Sequence, residues 1–362
     1  MRKVASPHRA VVVAVLLAVA AVLAAGMLPV PLSGPGAGSP RGTRTPGSAP
    51  GPRETPSRAS RDTAALLHAY YRAFADGNIS AARRLVGDDF VMHVPGKGLN
   101  AGEYRGKEGL RGFMAPLLGY GGGRFTVRVR HFAVHGGTAF TREVVTLNRA
   151  KDPGRTWTLR LAMEYRVRRG RLAEAWTVPE EQEVYDAYWT PSRDTPTGTP
   201  APSRPAPSQP GPALPGHAGS PRNTRLLITF YGRLARGDLG GLHRMVSDTV
   251  EVRVPGHSAL SGVYRGWDGF LELRGRVAAA AGRRYRPGAR AVAGDRSGGF
   301  VREAVPMGPA PGRARNAEAE AEGSADMTAY CTVRRGRIVR VEEFPVDSGA
   351  WQRFFGDARD RR

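Results

Sequence analysis

The stretch VPGKGLNAGEYRG, residues 94–106, returns as VPGHSALSGVYRG, residues 254–266, with seven of thirteen positions identical. A chain that repeats itself over such a distance is expected to fold as repeated units, and the register of the repeat says where they lie. At an offset of 160, Tyr71 falls on Tyr231, Gly77 on Gly237, Asp88 on Asp248, and Phe140-Thr-Arg-Glu143 on Phe300-Val-Arg-Glu303. Val167-Arg-Arg-Gly-Arg171 then falls on Val333-Arg-Arg-Gly-Arg337 at an offset of 166, so six residues enter the second copy between these blocks. The Ala/Glu-rich run 316–325 is where they are expected. A chain of 362 residues has room for two domains of ordinary size.

The rest of the chain separates the copies. Residues 33–60 and 191–222 are dominated by Pro, Gly, Ser, Thr, Ala and Arg with few large apolar side chains, too little to bury a core. They read as a stalk and a polyproline-type spacer, which leaves 61–190 and 223–356 as the globular segments and 357–362 as a tail. Residues 1–32 begin basic, MRKVASPHR, and run through nineteen uncharged, mostly apolar residues, 10–28. Such a segment enters a membrane, as a retained transmembrane anchor or as a signal peptide cleaved near Ala24-Ala25-Gly26. The basic flank would keep Arg2, Lys3 and Arg9 inside and send both domains out of the cytoplasm, tethered to the cell membrane or secreted.

A formal charge of +22 suggests an anionic partner, but nearly all of it is Arg scattered through linkers as well as domains. No finger, helix-turn-helix or aromatic platform accompanies it, so nucleic acid is not an expected partner. Cys331 is the single cysteine, which excludes an internal disulfide and a Cys-held zinc. His131 and His135 make two ligands without a third, and no metal is expected. Phosphate-cradling glycine motifs are absent, Ser80 is the only serine of 61–190 and stands in no G-x-S-x-G turn, and no cofactor is expected.

Hydropathy in the first copy places Leu66, Ala69, Tyr70 and Ala73 on one face of a helix over 62–75, with Asp62 as its cap. A short helix over 80–86, a strand over 89–94 and a third helix from Gly106 follow. Four runs of period two come next, 125–134, 138–147, 156–167 and 171–178, the third with Trp157, Leu159, Leu161, Met163, Tyr165 and Val167 on one face. Helices followed by a strand meander make an α+β domain, and a curved antiparallel sheet closed by helices tends to enclose a ligand cavity. In the second copy Pro287, Pro306, Pro309 and Pro311 interrupt the corresponding runs, which predicts a shorter sheet and an altered pocket.

The segments YYRAFADGN, LVGDDFVMHVPG, YRGKEGL and GRLAEAWTVPEEQEVYDAYW resemble the SnoaL-like members of the nuclear transport factor 2-like superfamily. FYGRLARGDL, VYRGWDG and GRIVRVEEFPVDSGAWQRFF resemble the same family, so the likeness spans both globular segments. It implies two tandem cone-shaped domains, the second degenerate, each with helices packed on a curved antiparallel sheet. It implies pairing through the sheet, as an internal pseudo-dimer or as a homodimer. It says little about chemistry, because the superfamily holds polyketide cyclases, ketosteroid isomerases, epoxide hydrolases and members without activity. The isomerase carboxylate before the strand's proline is here Val94, and Val254 in the other copy.

Glu143 alternates with Val145 and Leu147 and so faces the apolar side, where a carboxylate could act as base or acid; an ion pair with a neighbouring Arg is the structural alternative. Arg142 should point the other way. His93 stands before the Pro-Gly turn as a possible proton-shuttling partner, although alternation sets it opposite Phe90, Met92 and Val94. Tyr165 is a possible oxyanion donor, and Trp157, Leu161, Met163, Tyr165 and Trp176 are expected to line the pocket. Glu174 is placed with Trp176 on the face of Leu172 and Val178. A small apolar or amphipathic ligand held without turnover in the first domain, with the second domain as its packing partner, is the leading expectation. An isomerase, cyclase or hydratase acting on a polyketide-like or steroid-like substrate is the alternative, and a purely structural module the third.

Overall fold

The computed structural model describes residues 55–121, 125–191, 214–216, 219–281, 287–305 and 325–356. The apolar N-terminal segment, most of both Pro-rich linkers, the Ala/Glu-rich run and the tail lie outside the described residues. Among the described residues no helix is long and apolar enough to cross a membrane.

Helix α1 (Arg58–Ala75) starts earlier than Asp62, because the Ser57 side chain takes the Ser60 N–H and supplies the N-cap from within the stretch read as linker. It turns Leu67, Tyr70 and Tyr71 into the core. Helix α2 (Ile79–Leu85), capped by Asn78, leads into β1 (Val86–Val94), whose Phe90, Met92 and Val94 point inward. A short strand β2 (Gly102–Arg105) folds back on β1, and α3 (Gly106–Gly119) follows at once. The joint needs a positive φ, 64° at Gly106 and 71° at its counterpart Gly266, a conformation that costs glycine little. The motif that announces the repeat therefore serves as scaffold.

Strands β3 (Phe125–His135), β4 (Thr138–Arg149), β5 (Asp152–Arg168) and β6 (Arg171–Pro179) form the meander, and α4 (Gln182–Trp189) closes the domain. The sheet order is β2-β1-β6-β5-β4-β3, with β1 parallel to β6 and every other pair antiparallel. Alternation on β4 and β5 sends Glu143, Val145, Leu147, Leu159, Leu161, Met163 and Tyr165 toward the helices.

The second domain repeats this order: α5 (Pro221–Arg236), α6 (Leu239–Met245), β7 (Val246–Val254), β8 (Gly262–Arg265), α7 (Gly266–Ala281), β9 (Gly288–Gly294), β10 (Gly298–Ala304), β11 (Met327–Arg334), β12 (Arg337–Pro345) and α8 (Ser348–Phe355). Its sheet has the same strand order, so the chain is α+β with two tandem domains of one topology. Three of its six strands are shorter: β9 and β10 have seven residues each against eleven and twelve in β3 and β4, and β11 has eight against seventeen in β5. Pro287 stands immediately before β9, where a missing ladder donor ends pairing, whereas Pro306, Pro309 and Pro311 lie outside the described residues.

The faces of the two sheets that turn away from the helices meet one another. Ala133, Phe140, Ala162 and Val178 of the first pack with Ala291, Ala293, Phe300, Tyr330 and Phe344 of the second. Phe140 stacks on its own counterpart Phe300, centroids 5.3 Å apart and rings 4° from parallel. Around this pair, outward-pointing Arg142 donates to Glu342 at 2.7 and 3.0 Å and to Glu180, while Arg302, the counterpart of Arg142, donates to Glu164 at 3.1 Å. Arg142 also lies over the Tyr330 ring at 5.7 Å, and Arg302 over the Trp176 ring at 5.3 Å. Tyr330 and Glu342 are the counterparts of Glu164 and Trp176, so the contacts are reciprocal, as in an isologous interface.

Candidate functional site

Between sheet and helices the first domain holds a cavity of about 800 Å³, counting the solvent at its mouth. Its walls are Phe74, Met92, Phe113, Leu117, Phe125, Val127, Val145, Leu147, Leu159, Leu161 and Met163, and among them stand Tyr70, Tyr71, Tyr165, Tyr185, Asn100, Glu143, Thr177 and Trp189. This is the composition of a small-molecule site, mostly apolar with a few placed polar groups.

Glu143 is buried in this cavity at 6 % exposure. Its Oε1 accepts from the Tyr71 hydroxyl and, at 2.5 Å, from the Thr141 hydroxyl, and Tyr71 Oη stands 2.8 Å from Tyr165 Oη. Since the Tyr71 proton goes to the carboxylate, Tyr165 is the donor in the second bond, which makes a chain from Tyr165 through Tyr71 to Glu143. Glu143 forms no ion pair with any described Lys, Arg or His, and its Oε2 takes no hydrogen bond from them. Burial lifts its carboxyl above the usual carboxylate range, while the Thr141 and Tyr71 hydrogen bonds pull it back. Burial and the neighbouring carboxylate together push Tyr71 and Tyr165 well above an ordinary phenol.

The opposite end is closed by α4. The loop before Asn100 lies flat on this helix: a Cβ on Gly98 would come within 2.3 Å of Trp189 Cβ, and the Leu99 N–H donates to the Trp189 carbonyl at 3.0 Å. Asn100 Nδ2 donates to Tyr185 Oη at 2.5 Å, but Asn100 Oδ1 and Thr177 Oγ1, both buried, have no hydrogen-bond partner.

Of the residues expected at the pocket, Glu143, Leu161, Met163 and Tyr165 line it together. Trp157 does not; it lies between Arg149 and Arg155, whose guanidinium carbons are 4.8 and 4.2 Å from its ring, and meets Tyr188 edge-on. Trp176 is on the other face of the sheet. Arg166 pairs with Glu174 but Val167 with Leu172, so Ala173 is an extra residue, and this bulge turns Glu174 and Trp176 away from the side of Leu172. Trp176 instead stacks on His93, centroids 5.1 Å apart. His93 is held between Glu103 and Glu174, each at 3.1 Å, on the face opposite Glu143, so the two do not form a catalytic pair. His131 and His135 do not come together as ligands: His131 meets Asp295 at 2.9 Å and Tyr330 at 2.6 Å in the contact between sheets. No group of metal-ligating side chains occurs among the described residues.

The partners Tyr71, Thr141, Asn100 and Thr177 are not identified by sequence spacing. The internal repeat contains a signal for Thr141 and Thr177, since comparing the copies position by position shows both replaced. Tyr71 and Glu143 return as Tyr231 and Glu303, whereas Thr141 becomes Val301, Tyr165 becomes Cys331, Met114 becomes Arg274 and Thr177 becomes Glu343. In the second domain Arg274 reaches into the place of the cavity and donates to Glu303 at 3.1 and 3.2 Å and to Glu343, all three buried. Glu303 is thus the ion-paired carboxylate that was the structural alternative for Glu143.

A model of the SnoaL-like domain family matches residues 67–175. An uncharacterized protein of Mycobacterium tuberculosis is 32% identical over 125 residues, covering 34% of this chain and 89% of that protein. The chain belongs to the SnoaL-like family through its first domain. Similar solved structures include Bal32a from a soil-derived mobile gene cassette, 19% identical over 36% of this chain and 99% of that one, TM-score 0.34. Another is a nuclear transport factor 2-like protein of unknown function from Burkholderia pseudomallei, 13% identical over 36% of this chain and 98% of that one, TM-score 0.33.

Proposed function

We propose that the first SnoaL-like domain takes up a small, largely apolar molecule in its cavity, and that the second is its packing partner through the sheet. The observation that supports this reading is the contrast between Glu143 and Glu303. One topology leaves the carboxylate facing an open apolar cavity in the first domain and fills the same place with an Arg274 ion pair in the second. The Pro-rich stalk and the apolar run 10–28 belong to the same proposal, as the tether that holds both domains at the outer face of a membrane.

The test uses the intact chain and its Glu143→Gln variant with a panel of apolar polyketides, steroids and epoxides, following melting temperature and compound consumption together. A melting shift without consumption is expected in the parent protein. A second reading, proton transfer by Glu143 in an isomerase, cyclase or hydratase, is favoured by its free Oε2 and raised pKa. Consumption that disappears in Glu143→Gln would put that reading first. Its rate should then rise with pH through the elevated Glu143 pKa, because a base must be ionised to act.

A further inference from the structure

We infer that the molecule held in the cavity is uncharged and two-ended, with one polar function that donates to Glu143 and a second that lies at Thr177, about 10 Å away by the spacing of two strand intervals, Asn100 being a further polar group on the cavity wall. This rests on the reading of the cavity as a ligand site. The separation follows from the sheet register. Met163 on β5 stands opposite Thr141 on β4 and opposite Thr177 on β6, so the two threonines flank it from either side on the cavity face. Thr141 Oγ1 is bonded to Glu143 Oε1, which puts the carboxylate at one end of that row and the Thr177 hydroxyl at the other.

Each end carries a polar atom that has no hydrogen-bond partner among the described residues. Glu143 Oε2 accepts nothing, Thr177 Oγ1 is at a residue 2 % exposed, and Asn100 Oδ1 is at a residue 1 % exposed. Buried polar atoms without hydrogen bonds are rare, and two of them beside one apolar cavity, with the open Glu143 Oε2, point to a ligand that completes them. The lining also selects charge. No Lys, Arg or His is among the described residues that line it, so a carboxylate, phosphate or sulfate end would be buried without a counter-ion beside an existing carboxylate. Fatty acids and phosphorylated ligands are thereby disfavoured, and a rigid apolar body with a hydroxyl at each end fits.

Biphenyl-4,4′-diol carries two hydroxyls at opposite ends of a rigid apolar frame, and biphenyl-4-ol, biphenyl and 4′-hydroxybiphenyl-4-carboxylate vary its ends one at a time. Calorimetry with the intact chain is expected to give the diol at least tenfold tighter binding than the mono-ol, with the carboxylate weakest. Thr177→Val should lower affinity for the diol toward that for the mono-ol, and Thr177→Ser should keep it, with the melting temperature of each variant showing that it folds. Equal affinity for diol and biphenyl, or preference for the carboxylate, would overturn this inference alone. Failure of all four to bind would overturn it together with the reading of the cavity as a ligand site.

Discussion

Tyr71 is the residue on which the site turns. Among the described residues its hydroxyl alone meets Glu143, Thr141 and Tyr165 at once, and it comes from α1 whereas the others come from the sheet. Replacing it with Phe removes a donor to a buried carboxylate, which costs about 1–3 kcal/mol. Tyr71→Phe is therefore expected to lower urea-unfolding stability by that amount and to raise the Glu143 pKa further, since a hydrogen bond to the charged form is lost; titration followed by carbon NMR would read the shift. At this scale the sequence was partly legible. Alternation with Val145 and Leu147 suffices to aim Glu143 inward, but Tyr71 and Thr141 are seventy positions apart, and only the fold brings them together. Trp176 illustrates the opposite failure: period two is a sound rule until one extra residue, Ala173, shifts the phase.

Among elements, α7 and β12 carry the difference between the domains. Arg274 on α7 pairs with Glu303 on β10 and Glu343 on β12, three ionisable groups out of water where the first domain has Met114, Glu143 and Thr177. Removing the cation from such a cluster leaves uncompensated buried carboxylates, a loss of about 3–5 kcal/mol. Arg274→Met is expected to cost that much, and the double variant Arg274→Met with Glu343→Thr, which restores the first-domain residues, should recover most of it in denaturant titration. Burial and the charge of Glu303 push Glu343 up to about 7, against the pull of Arg274. The folded state thus holds a proton that the unfolded chain releases near the ordinary carboxylate range. This contribution is complete below that range and is lost as pH rises through about 7. A melting temperature that falls between pH 5 and 8 in the parent, and stays flatter in Glu343→Gln, is the expected outcome. The strands themselves were legible as period-two runs, although the bulge at Ala173 shifts the phase within β6. Strand β2 was not, being four residues long with every side chain at least partly exposed.

For the whole molecule the sheet-to-sheet contact sets stability. Arg142 neutralises Glu180 of its own domain and Glu342 of the other, both nearly buried. Arg142→Ala is expected to destabilise by about 3 kcal/mol for the carboxylates left behind, and to uncouple the domains, so that one calorimetric transition becomes two. The repeat register made two domains legible from sequence, whereas the faces by which they meet depend on Phe140 and Phe300, whose hydrophobicity alone does not say which side of a sheet they occupy.

Phe140 stacked on Phe300 has a consequence beyond stability. In a dimer of identical subunits every inherited change is written into both halves at once, and each half must keep whatever the other needs. Here the two halves have separate sequences on one chain, so a change such as Arg274 can close one without touching its twin. Being covalently joined, the pair also cannot be diluted apart. The molecule is in effect a dimer with a stoichiometry of one, whose halves are free to differ.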